Sequence, residues 1–84
     1  MQVSATPFFL RQVKKLPKNL QEEAWEAIDA FSNVNQHACL KVHKLKGRLS
    51  GRYSFSVNYK FRIVFCYKKK EAILLAIGDH DVYL

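Results

Sequence analysis

An α+β fold follows from the patterning of the chain: a small antiparallel β-sheet of about four strands, packed on one face by an N-terminal helical hairpin. Three observations lead there. The first forty residues place apolar side chains at helical spacing, in two runs separated by Pro17. From residue 40 onward the apolar period changes from helical to two. The strand-like runs are joined by turns too short for a crossover helix, so neighbouring strands are antiparallel. Eighty-four residues make a single domain, 1–84, with one core.

Residues 1–5 alternate weakly and read as a short strand. Thr6 followed by Pro7 is a helix start, a capping hydroxyl before a residue preset for the first helical position. Phe9, Leu10, Val13 and Leu16 share one side of that helix, with Arg11, Lys14, Lys15 and Lys18 on the other. Pro17 closes it. Asn19 and Glu22 are spaced as a capping box for a second helix. Its apolar stripe is Leu20, Ala24, Ala27, Ile28 and Phe31, with Trp25 expected in the core at the stripe's edge. Tyr53, Phe55, Val57 and Tyr59 alternate with Ser54, Ser56, Asn58 and Lys60, as in a strand with one buried face. "FRIVFCY" (61–67) and "AILLAIG" (72–78) are continuous and β-rich, as central strands are. The helices should cover the face of Tyr53, Phe55 and Val57, leaving Ser54, Ser56 and Arg62 on the opposite one.

Charge gives the first functional information. The net charge is +7, unevenly spread: +4 over residues 1–18, −4 over 19–40, +10 with no acid over 41–70, and −3 over 71–84. A concentrated excess of this kind suits a polyanionic partner. No apolar run approaches the roughly 18 residues of a membrane span, and the N-terminus lacks secretory-signal patterning, so a cytoplasmic protein without membrane contact is expected. Cys39 and Cys66 form no disulfide framework. His37, Cys39 and His43 lack a fourth ligand at a familiar spacing, so neither metal nor cofactor is expected.

"KVHKLKGRLSGR" (41–52) gathers Lys41, Lys44, Lys46, Arg48 and Arg52 around His43, with Lys60 in the next turn. These six cations are the candidate phosphate contacts; the bland alternative is a solvated basic loop. Arg62, inside an apolar strand, needs water or a partner. A bound phosphate and a salt bridge to Asp79 or Asp81 explain it equally. His80 follows the last strand between those aspartates and can exchange a proton near neutral pH. Tyr83 can stack on a base. A terminal histidine is ordinarily mere surface, and only its company gives it weight.

Three segments resemble the RelE/ParE superfamily of bacterial toxins from type II toxin–antitoxin systems: "TPFFLRQVKKLPKNLQEE", "HKLKGRLSGRYSFSVNYKFRIVF" and "IGDHDVY". The closing "GDHDVY" favours the RelE and YafQ-like branch over the gyrase-poisoning ParE branch. The resemblance implies the fold above and metal-independent cleavage of mRNA in the ribosomal A site. It also implies a cognate antitoxin as partner. In that chemistry the ribose 2′-OH attacks the adjacent phosphate, a base removes its proton, and an acid protonates the leaving 5′ oxygen. Carried over by position, Arg62 matches the strand arginine that binds phosphate. His80 matches the C-terminal histidine of YafQ-like members, Tyr83 the C-terminal aromatic, and His43 a YafQ-like histidine. Lys44 and Lys46 match nearby basic positions. Ser54 and Ser56 depart from the pattern, standing where RelE has catalytic lysines, which leaves His43 as the candidate base. A gyrase-binding toxin and a homologue that only binds an antitoxin are the alternatives.

Overall fold

The computed structural model describes residues 2–33, 37 and 40–79. In chain order they form β1 (Gln2–Ala5), α1 (Pro7–Lys14), α2 (Lys18–Phe31), β2 (His43–Lys44), a 3₁₀ turn (Gly47–Leu49), β3 (Tyr53–Ser56), β4 (Arg62–Lys68) and β5 (Glu71–Gly78). The α+β architecture is the expected one, but the sheet has five strands, in the order β1-β5-β4-β3-β2. It is mixed, because β1 runs parallel to β5, Gln2 against Glu71 and Ala5 against Leu74, while every other pair is antiparallel. No described helix is long and apolar enough to cross a membrane.

Thr6 fastens the helical layer to the sheet. Its Oγ1 accepts from the Phe9 N–H at 3.2 Å, capping α1, and donates to the Leu74 carbonyl at 3.1 Å. Pro7 supplies the preset first helical residue. Beyond β1 the exposed edge of β5 is taken over by a side chain: the Ile77 N–H donates to Gln12 Oε1 at 2.9 Å. That polar contact shields a strand edge that would otherwise be open to pairing with another chain.

The predicted capping box does not form. Helix α2 starts one residue earlier, at Lys18, with Pro17 as a cap that has no side-chain bond. The Pro17 carbonyl already receives the N–H groups of Leu20 and Gln21, both at 3.0 Å, which places Asn19 inside the helix. Gln21 turns back instead, its Nε2 donating to the carbonyls of Leu16 (2.8 Å) and Lys14 (3.4 Å) at the end of α1. Leu20, Ala24, Ala27 and Phe31 are buried as predicted, but Trp25 is 45% exposed and Leu10 39%. Trp25, one residue round the helix from the buried Ala24, is rotated out of the apolar stripe.

The core is aromatic at its centre. Phe31 stacks on Phe55 at 4.2 Å between ring centroids, tilts against Phe65 at 4.6 Å, and carries the His37 ring at 4.8 Å. His37 is held there by its Nε2 donating to the Phe31 carbonyl at 2.8 Å. Phe9, Val13, Ile63, Leu74 and Ile77 close the same cluster.

The two-residue turn between β4 and β5 contains Lys69 at φ 58°, a left-handed conformation that disfavours any Cβ. Lys69→Gly should stabilise the protein by about 0.5–1 kcal/mol, the relieved strain outweighing glycine's extra chain entropy. A thermal melt should show a rise of a few degrees; no rise, or a fall, would show that this turn is unstrained.

Candidate functional site

The hairpin joining β3 to β4 is built around Asn58. Its Oδ1 accepts from the N–H groups of Lys60 (2.9 Å) and Phe61 (2.8 Å), and the Val57 N–H donates to the Phe61 carbonyl at 3.0 Å. An Asx turn of this kind ends the strand at Ser56, earlier than side-chain alternation suggests. Asn58 Nδ2 then donates to Glu23 Oε2 at 3.1 Å, tying the hairpin to α2.

Arg62 is the next residue, half-buried at the start of β4. Its Nη1 donates to the carbonyls of Asn58 (2.6 Å) and Phe61 (3.1 Å). Those two bonds use both protons of Nη1 and immobilise the guanidinium. Among the described residues Nε and Nη2, which form one two-pronged edge, have no acceptor. Arg62 lines a cleft of about 380 Å³ with Leu40, Lys41, Ser56, Val57, Asn58 and Tyr59. Tyr59 is 92% exposed there. Alternation had placed its ring in the core; a tyrosine set between an asparagine turn and two cations was the signal for a surface role.

His43 stands on β2 opposite Ser54, and Ser56 stands opposite Arg62, so all four share the sheet face turned away from the helices. By strand spacing and register, the Cα atoms of His43 and Arg62 are roughly 12 Å apart. The His43 Nδ1 donates to the Lys41 carbonyl at 2.9 Å, and Ser54 Oγ lies 3.3 Å from Nε2. Lys41 is left-handed, with φ 57°. It thus contributes its side chain to the cleft and its carbonyl to His43.

The other predicted contacts are dispersed. Lys44 pairs with Tyr53 and therefore projects from the opposite face to His43. Lys46 and Arg52 are exposed around the β2–β3 loop, and Arg48 belongs to its 3₁₀ turn. Lys60 is exposed, its Nζ 5.9 Å from the Phe61 ring centroid. His80 and Tyr83 lie outside the described residues. Ser54 is wholly buried, which bars it from direct contact with a ligand.

The chain superposes on a YoeB/ParE toxin from Agrobacterium tumefaciens with a TM-score of 0.73, covering 95% of this chain and 99% of that one at 15% identity. The fold is that of the RelE-type toxins. The RelE-type fold also appears in a RelE–RelB complex from Pyrococcus horikoshii OT3 (TM-score 0.70, 19% identity, 93% and 92% covered). YafQ from E. coli shows it as well (TM-score 0.64, 13% identity, 99% and 97% covered). No protein-family model and no curated protein matches the sequence, so the likeness to RelE-type toxins is one of shape.

Proposed function

We propose that the chain is the toxin of a type II toxin–antitoxin pair, a metal-independent endoribonuclease that cuts mRNA in the ribosomal A site. One observation carries the reading: Arg62, fixed by its own turn and with no acceptor for Nε and Nη2 among the described residues, lines a cleft shared with Lys41 and an exposed tyrosine. Two parallel N–H groups match two non-bridging phosphate oxygens, which a lysine in the same place would not. Lys41 adds a second positive charge, and the Tyr59 ring offers a surface on which a base can stack.

In the reaction O2′ attacks phosphorus and the P–O5′ bond breaks, giving a 2′,3′-cyclic phosphate and a free 5′-OH. Arg62 and Lys41 stabilise the charge gathering on the phosphoryl oxygens. His43 receives the 2′ proton, and His80 donates one to O5′. Gly78, two residues before His80 in the sequence, stands across from Arg62. The RNA backbone would extend from the cleft towards the cations of the β2–β3 loop, Lys46, Arg48 and Arg52, with Lys60 beside Arg62. The partner is an acidic antitoxin segment that covers this basic surface; solved neighbours include RelE with RelB and YoeB with YefM.

Induced expression of the chain alone, followed by mapping of RNA 5′ ends, tests the assignment. Wild-type protein should halt translation and leave discrete cuts in phase with codons, and His80→Ala should abolish both. Uncut mRNA beside a DNA-damage response would move the protein to the gyrase-binding class. Uncut mRNA with undisturbed growth would leave only antitoxin binding.

A further inference from the structure

We infer that Ser54 and the backbone of Lys41 form a cradle that holds the His43 imidazole as a ready proton acceptor. The Nδ1–H bond to the Lys41 carbonyl, 2.9 Å long, fixes the tautomer, because a carbonyl accepts only from a protonated nitrogen. Nε2 then carries the lone pair. The Ser54 hydroxyl, 3.3 Å away, is the group that meets it. The left-handed backbone at Lys41 is an uncommon conformation for a residue with a Cβ, and here it belongs to the residue whose carbonyl engages the ring.

A hydroxyl suits both protonation states. It donates to Nε2 while the ring is neutral and accepts from Nε2–H once the ring has taken a proton. The imidazolium then has an acceptor on each nitrogen: the carbonyl on Nδ1 and the hydroxyl on Nε2. A lysine at position 54 would only donate, and it would place a second cation beside the charged ring. A serine at this position therefore suits a histidine base in either protonation state. Ser54 is a positioning residue. It is wholly buried, whereas His43 is exposed, so the substrate hydroxyl meets the imidazole and not the serine. The long Ser54 bond yields to the incoming 2′-OH, whose proton passes to Nε2 as O2′ closes on phosphorus. This use of the cradle rests on the proposed nuclease activity; its geometry does not.

Imidazole ¹⁵N spectra of the intact chain read the cradle directly. In wild-type protein, neutral His43 should show a protonated Nδ1 and an unprotonated, hydrogen-bonded Nε2. Ser54→Ala should move the Nε2 signal towards that of an unbonded nitrogen, and Ser54→Thr should restore it. On mRNA held in programmed ribosomes, Ser54→Ala should lower kcat about ten- to a hundredfold with KM nearly unchanged, and Ser54→Thr should recover most of the rate. A protonated Nε2 in neutral wild-type protein would overturn the inference, as would a signal and kcat indifferent to the Ser54 hydroxyl in a folded variant. The spectral signature without RNA cleavage by wild-type protein would uphold the cradle and remove the nuclease reading.

Discussion

Arg62→Ala should slow RNA cleavage about 100- to 1,000-fold, the usual consequence of removing one preorganised donor group from a developing oxyanion. Arg62→Lys should recover only a small part of the rate, since an ammonium lacks the two-pronged edge that Nε and Nη2 present. Single-turnover cleavage of a defined mRNA in programmed ribosomes is the measurement. The side chain also braces the β3–β4 turn through the Asn58 and Phe61 carbonyls, and each such bond contributes about 0.5–1.5 kcal/mol. Melting curves for both variants separate a loosened turn from lost chemistry. Cleavage by folded Arg62→Ala at the wild-type rate would dismantle the proposed site.

The second large effect concerns stability. Phe31→Ala should cost about 3–5 kcal/mol, because it empties the centre of the core against Phe55, Phe65 and His37. A chain of this length has roughly 4–13 kcal/mol in total, so the variant should be largely unfolded at moderate urea. Phe31→Leu, which retains most of the volume, should lose far less. An unchanged urea midpoint for the alanine variant would mean that the aromatic stack is not what holds α2 to the sheet.

Much of this was legible in local patterns. Thr6–Pro7 announced α1 because a cap acts within one turn of its own residue. Alternation placed Ser54, Ser56 and Arg62 on one face because strand geometry repeats every second residue. What local patterns cannot show is pairing between distant segments, and β1 acquires its partner only at β5, near the other end of the sequence. The capping box failed for a related reason: Asn19 and Glu22 had suitable spacing, but the Pro17 carbonyl had already begun the helix. In the site, composition marked a basic segment but could not distinguish Lys41, which lines the cleft, from Lys44, which projects from the other face. Tyr59 was misplaced because the Asx turn at Asn58 interrupts the alternation it seemed to continue.

The parallel pairing of β1 with β5 also governs when the protein becomes competent. The hydrogen bonds from residues 2–6 have their partners around residues 71–74, so the chain must be synthesised through β5 before this ladder can close. The same late strand brings Gly78 opposite Arg62 and carries Leu74 and Ile77 into the interior. A nascent chain halted before residue 71 therefore lacks a finished hydrophobic interior beneath the sheet that carries the cleft.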